Sequence, residues 1–298
     1  MTIKAAIIAD SISPAGIRLT TLQLRYPKFI HGEFMTHRVF SRNASSSRAI
    51  PVERLIKDVI DDPVYPSFWG KNQPGMSADE ECNELIKFGQ GFTREEAWDK
   101  AREETIYTAR KFHEAGYHKQ IVNRLLEPFC HINVVVTATE WSNFFALRCH
   151  KDAQPEMRIL AEAIRDVMES GSGPVRREPG FSWHLPYVTV DEWRSLLARH
   201  AAIQDHAFDI GRRISVARCA RVSYLTQDGR SPNIDEDLKL YERLVGSVPL
   251  HASPCEHQAI PDCPYKGGEA GSKWQQPHLH GNFTGWIQYR QLLPGQCQ

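Results

Sequence analysis

Thr36 to Arg48 read Thr-His-Arg-Val-Phe-Ser-Arg-Asn-Ala-Ser-Ser-Ser-Arg, with three arginines, one histidine and four serines, and no acid follows until Glu53. These residue types suit an anion. Guanidinium forks pair bidentately with phosphate oxygens, and hydroxyls add directed bonds. A helix expected just after Pro51 would turn unpaired backbone N–H groups toward the same charge. A solvated polar loop is the plain alternative for such a composition. Further along, Cys255-x-His257-x5-Cys263 and His278-x-His280 carry zinc-ligand types without the spacing of a familiar finger, a flexible polar loop being the alternative. No Gly-x-Gly-x-x-Gly and no Gly-x-x-x-x-Gly-Lys-Ser/Thr occurs, so neither a Rossmann turn nor a Walker loop holds a ligand here.

The elements that must position these residues are legible in outline. Ile3–Ile12 and Arg18–Tyr26 read as a strand pair around the turn Ser13-Pro14-Ala15-Gly16. Val52, Leu55, Ile56 and Val59 recur at helical spacing between Pro51 and Pro63. Residues 61–92 read as surface loop with a short helix near Glu80–Phe88. Thr93 and Glu96 form a capping box opening a helix to about Ala115, with Gly116 as its C-terminal stop. Ile132–Thr139 is β-branched and reads as a buried strand, followed by helices over Thr139–His150 and from Pro155 to near Gly171. The stretch 171–180 has a linker's composition but sits equally well as a loop inside one domain. Thr189 and Glu192 open another capped helix, a last helix spans Asp235–Val245, and the tail from His251 is dense in Pro, Gly and His. The expectation is one α+β domain over residues 1–298, a mixed or antiparallel sheet flanked by helices.

Composition bounds the function. In 298 residues, 36 basic side chains balance 36 acidic ones, so a general nucleic-acid binder is not expected and any basic chemistry is local. Apolar residues at 41% and charged ones at 24% are those of a globular chain. The apolar runs are far shorter than the ~20 residues a membrane helix needs. Met1-Thr2-Ile3-Lys4 leads straight into a strand, so no signal peptide is expected. Seven scattered cysteines fit a reducing cytoplasm.

Four blocks resemble the flavin-dependent thymidylate synthases. Thr36-His37-Arg38 with Ser46 is similar to that family's signature of Arg-His-Arg, seven residues, then Ser. Asn143-Phe144-Phe145-Ala146-Leu147-Arg148 with Ala153-Gln154 and Glu156 resembles its Asn-Phe-x-x-Leu-Arg…Ala-Gln-x-Glu region. Ala217-Arg218-Cys219-Ala220-Arg221-Val222-Ser223-Tyr224 resembles its Ala-Arg-Val-Ser segment, and Ser253-Pro254-Cys255-Glu256-His257 its Pro-x-Glu-His. In the family the last two blocks precede the signature, whereas here they follow it, as in a circular permutation. Gly285-Trp286-Ile287-Gln288-Tyr289-Arg290 resembles the family's lead into the signature, so the junction is partly duplicated. Permutation implies that Met1 and the Trp286 region lie close together, within one subunit or across an interface.

The resemblance implies dUMP as substrate, methylenetetrahydrofolate as carbon donor, FAD as redox carrier and NADPH as reductant, in a homotetramer with no metal, nucleic acid or membrane partner. It places His37, Arg38, Asn43, Asn143, Ser223 and His257 at the flavin, and Ser46, Ser47, Arg48, Arg124 and Arg148 at the nucleotide. Arg148, Arg38 and His257 are the residues it puts nearest the chemistry. A guanidinium at the pyrimidine O4/N3 edge stabilises negative charge as C5 becomes nucleophilic, which is the physical reason for Arg148.

The chain departs from the family at Thr36 for the first Arg, at Ala44 for a common Glu, and at Asp152 for a usual His. Changed acceptors near the base would suit the C4 donor of cytosine, so a C5 methylase or hydroxymethylase acting on dCMP or dUMP is the alternative reading. Two others stand beside it. Pro128-Phe129-Cys130-His131 resembles the nucleophile region of the cysteine-dependent thymidylate synthases, and a zinc-holding nucleotide binder would use the tail.

Overall fold

Apolar alternation in the first two strands builds the sheet on which the site rests. A computed structural model describes residues 2–200, 204–222, 233–265 and 273–296. In chain order the elements are β1 Lys4–Ile12, β2 Arg18–Pro27, α1 His31–Phe34, β3 Ser41–Ala44, α2 Val52–Asp61, β4 Ile86–Phe88, β5 Gln90–Phe92, α3 Arg94–Glu114 and α4 Lys119–Leu125. There follow β6 His131–Ala138, α5 Ser142–Arg148, α6 Pro155–Ser170, β7 Val175–Arg176, α7 Val190–Arg199, α8 Gln204–Ala220, α9 Ile234–Val245, β8 Ala259–Pro261 and β9 Trp286–Gln288. The main sheet has the order β3-β6-β2-β1-β7, antiparallel except for the parallel β1/β7 pair. The expected α+β class and mixed sheet are therefore seen.

Strand alternation divides the chain's apolar groups between two faces. Leu22, Leu24 and Tyr26 of β2 join Ile132, Val134 and Val136 of β6 on one face, under Phe34, Phe40, Phe144 and the buried stripe Met157, Leu160, Ala161 and Ile164 of α6. The other face is covered by the C-terminal half. Val135 meets Tyr187, Cys219 and Val222, and Leu19 meets Ala259, Phe283 and Trp286. A register shift between Ile7 and Ala9 of β1 is a bulge, and it turns Ala9 and Ser11 to this second face opposite Thr21 and Leu19.

Several local expectations meet the structure directly. Both capping boxes close, Thr93 with Glu96 and Thr189 with Glu192, and Gly116 takes φ +87 just past α3. Others need correction. Glu80–Phe88 is not helical: β4 and β5 pair there as a hairpin turning at Gly89, whose φ of +88 suits glycine, with Phe88 and Phe92 in contact. The stretch 171–180 contributes β7, which joins the sheet beside Ser11 and Ile12.

The permutation argument places the chain start beside Trp286, whereas Thr2, the first described residue, lies away from it within one chain. Trp286 Nε1 donates to the Ile17 carbonyl at 3.2 Å, at the turn of the opening hairpin. Met1 lies outside the described residues, but the Thr2 carbonyl accepts from Arg25 at the hairpin's other end. The length of β1, about 27 Å at ~3.3 Å per residue, separates the two. The hairpin folds back on itself, so its turn and not its start meets the C-terminal segment.

Candidate active site along the sheet edge

The site is built along β3, an edge strand whose outer side pairs with no other strand among the described residues. Before β3, the chain from α1 makes a tight turn in which the Thr36 and His37 amides donate to the carbonyls of Glu33 and Phe34. Arg42 reaches back from β3 and donates through Nη1 to the carbonyls of Met35 and His37, both at 3.0 Å. Its guanidinium thus clamps the turn that presents His37. Composition counted Arg42 among the anion ligands, whereas the fold commits it to backbone oxygens.

His37 is buried against aromatic rings, stacked on Phe40 at 5.8 Å and meeting Phe144 edge-on at 4.9 Å. Burial lowers its pKa, and the nearby positive charges of Arg148 and Arg42 lower it further. The ring is therefore neutral. Its Nε2 accepts from Arg148 Nε at 2.9 Å, so the proton sits on Nδ1, and Arg148 Nη2 donates to Thr36 Oγ1 at 3.3 Å. The helix explains the pairing: Phe144 and Arg148 are four residues apart on one face of α5, one supporting the imidazole edge and the other bonding its nitrogen. At position 36 a hydroxyl accepts from Arg148, where an arginine would repel it.

At the far end of β3, about 10 Å along the strand, the serine-rich loop is pinned through its backbone. Ser45 follows the ladder, its amide donating to the Asn133 carbonyl at 2.8 Å and its Oγ accepting from the Asn133 amide at 3.1 Å. Asn123 Nδ2 donates to the carbonyls of Ser47 and Ile50 at 2.7 and 3.0 Å, and Lys119 Nζ to that of Ala49. Ser47 Oγ donates to Glu127, which also pairs with Lys28, so this hydroxyl is already engaged. Ser46 and Arg48 point outward and are exposed, as are Arg38 and Arg124. Among the described residues no carboxylate lies within ion-pair distance of these three arginines. Then α2 begins at Val52 after Pro51, its first backbone bond running from Leu55 to Pro51, so the earlier N–H groups are open as expected.

The structure thus gathers His37, Thr36 and Arg148 at one end of the strand, with Arg38 adjacent, and Ser46, Arg48 and Arg124 toward the other. Asn143 is exposed on the first turn of α5, and Asn43 is turned to the second face beside Val135. Ser223 lies outside the described residues. His257 is a correction. It is fully buried on the second face, where its Nδ1 bonds Thr137 Oγ1 at 2.8 Å, so the sheet separates it from His37 and Arg148. Gln154 and Glu156 are also accounted for structurally: Gln154 caps α6 by accepting from the Met157 amide, and buried Glu156 accepts from the Ser67 amide and hydroxyl. Asp152 is exposed, and its amide donates to His150 Nδ1 at 3.3 Å. Sequence reading missed Thr36 as the acceptor for Arg148, and the box of Phe40 and Phe144 around His37. The four-residue spacing of Phe144 and Arg148 was the available signal.

Neither the thiol nor the zinc alternative finds support in the geometry. Cys130 is buried, its Sγ donates to the Leu126 carbonyl at 3.0 Å, and burial pushes its pKa up to about 12. A thiol so placed is not a nucleophile at neutral pH. We expect Cys130→Ser to turn over at the unsubstituted rate, and thiol-specific labelling of Cys130 to require unfolding; loss of turnover without loss of structure would restore the nucleophile. Cys255 packs in an apolar cluster, His257 bonds Thr137 and His280 bonds Asp262. Among the described residues no three His, Cys, Asp or Glu side chains converge as a metal site.

Residues 10–170, just over half of the chain, match the family model described as thymidylate synthase complementing protein. The two C-terminal blocks lie beyond the matched part. Among solved structures the chain is similar to a UMP/dUMP methylase, PolB from Streptomyces cacaoi, bound with 5-Br dUMP, at 15% identity and a TM-score of 0.39 over 56% of this chain and 89% of that one. The same protein bound with 5-Br UMP gives 15% identity and a TM-score of 0.39 over 56% and 88%. No curated protein matches the chain.

Proposed function

Because the chain belongs to the thymidylate synthase complementing protein family, we propose that it converts dUMP to dTMP by reductive methylation at C5. Methylenetetrahydrofolate is the carbon donor, FAD the bound redox carrier and NADPH the reductant. The observation that carries this reading is the constellation of Arg148, neutral His37 and Thr36 at one end of edge strand β3, with the exposed Arg38, Arg48 and Arg124 on the segments around it.

The donor set fits phosphorylated ligands. Ser46, Arg48 and Arg124, with the open N–H groups of α2, would hold the nucleotide phosphate. Arg38 and Asn143 would contact flavin, whose reduced form would supply the hydride, whereas Asn43 faces the other side of the sheet and is left out of this set. Arg148 would face the O4/N3 edge of the pyrimidine, where a fixed guanidinium stabilises charge developing on the ring. His37, neutral in its aromatic box, keeps Arg148 aimed without adding a competing charge. No protein thiol is needed, in keeping with the burial of Cys130. A site beside a strand that pairs on one side only, among the described residues, is suited to completion by further copies of the chain, so a homotetramer is part of the proposal, acting in the cytoplasm. Among the described residues no helix is long and apolar enough to cross a membrane.

The test is the visible spectrum of the purified protein with FAD, titrated with dUMP and then with dCMP, followed by turnover with methylenetetrahydrofolate and NADPH. Bound flavin perturbed by dUMP, with dTMP formed, is the expected result. A response to dCMP alone would overturn the substrate assignment and favour the cytosine-directed alternative. Failure to retain flavin under every condition would overturn the cofactor assignment.

A further inference from the structure

A continuous line of buried hydrogen bonds crosses the second face of the sheet. Arg177 Nε donates to Ser11 Oγ at 3.1 Å, and Ser11 Oγ lies 2.8 Å from His184 Nδ1. His184 Nε2 lies 2.7 Å from Thr21 Oγ1, which lies 2.7 Å from Thr137 Oγ1, which in turn lies 2.8 Å from His257 Nδ1. Ser11, Thr21, Thr137, His184 and His257 are all fully buried. The bulge in β1 is what brings Ser11 to this face. Beyond His257 the line stops: its Nε2 is buried with no partner among the described residues.

The donor inventory gives the line a direction. A guanidinium only donates, so Ser11 Oγ accepts from Arg177, and its own hydrogen is left for His184 Nδ1. His184 then carries its proton on Nε2 and donates to Thr21, Thr21 donates to Thr137, and Thr137 donates to His257 Nδ1. The opposite direction makes Ser11 accept twice and leaves one more buried hydroxyl hydrogen without an acceptor, which is unfavourable. Both rings are neutral, since burial lowers the pKa of His184 well below its usual value and that of His257 to about 3.

We propose that Ser11 and Thr21, through His184 and Thr137, fix His257 as its Nε2–H tautomer and so present that N–H as a hydrogen-bond donor at the end of the line. They are positioning residues acting on a ring that neither touches. The inference does not depend on which nucleotide or cofactor the protein uses.

The experiment is a long-range proton–nitrogen correlation spectrum of the full chain labelled with nitrogen-15 histidine. Both His184 and His257 should show a protonated Nε2 and a bare Nδ1, unchanged from about pH 5 to 8, where an ordinary histidine titrates. Thr21→Val, close to isosteric and well suited to a strand, should let His257 populate both tautomers, and Thr21→Ser should restore one. Ser11→Ala should loosen the His257 tautomer from the far end of the line. A protonated Nδ1 on His257 in the unsubstituted protein would overturn the proposal, as would a His257 tautomer indifferent to both Thr21→Val and Ser11→Ala. The unsubstituted spectrum decides the direction even if one variant fails to fold.

Discussion

Arg148→Lys is expected to lower kcat/KM for the nucleotide by about 10²- to 10³-fold, the loss typical of removing one fixed donor from a developing negative charge. The guanidinium does two things with two nitrogens, holding His37 through Nε and Thr36 through Nη2. A lysine ammonium gathers its three donors on one nitrogen at the end of a flexible stem, so it cannot reproduce the planar fork that keeps both bonds while facing a ring edge. Arg148 is only half-buried at the end of α5, so the unfolding midpoint should scarcely move. Steady-state kinetics separates the possibilities. A fall in kcat with little change in KM places the interaction in the transition state, whereas a rise in KM alone means ordinary substrate binding. Thr36→Val, which removes one of the two anchors and adds no charge, should fall between the two proteins. Full activity in Arg148→Lys would remove this residue from the chemistry and leave His37 without its assigned purpose.

How much of this was legible beforehand depends on whether a residue's partner is local. The capping boxes at Thr93 and Thr189 are written within four residues, and both form as read. The hairpin of β1 and β2 follows from alternation around a Pro-Gly turn. By contrast α8 left no periodic trace, because residues 214–219 are buried on every side and a helix enclosed all round has no polar face to give it a stripe. β3 hides inside a run that reads as a polar loop, since an edge strand can be rich in Ser, Arg and Asn. Composition marked the segment 36–48 as anion-seeking but could not say which members were free. Arg42 serves backbone carbonyls and Ser47 serves Glu127, while Ser46 and Arg48 are left exposed. The misplacement of His257 has the same origin. Its neighbour in sequence, Glu256, pairs with Arg290, but the face it occupies is set by Thr137 from a strand 120 residues earlier.

Asp237→Ala is expected to cost about 3–5 kcal/mol of stability, because it leaves a buried charge short of its partner. Arg218 is fully enclosed, and its Nε bonds Asp237 Oδ2 at 2.8 Å. Its remaining nitrogens reach Glu192 at 2.7 and 2.9 Å and the Tyr187 carbonyl at 2.7 Å. Asp237 also accepts from Arg221, so one carboxylate sits between two guanidiniums. Glu192 belongs at once to this network and to the capping box of α7, and Asp237 stands in the first turn of α9, where a negative charge is favoured. The network therefore joins the starts of α7 and α9 to the end of α8. It also anchors Tyr187, whose φ of +63 is strained for a residue with a side chain and is held by that same carbonyl bond. The loss should appear in urea denaturation as a lower midpoint at unchanged slope. Pairing Asp237→Leu with Arg218→Met should recover part of it, since the fully buried charges are then removed together, while Glu192 and Arg221, which are partly exposed, lose a partner but keep water. If the double replacement is as unstable as Asp237→Ala alone, the ions are needed for more than each other's compensation. Their task would then be to fix the geometry of the segment from Arg218 to Val222 that leads toward Ser223.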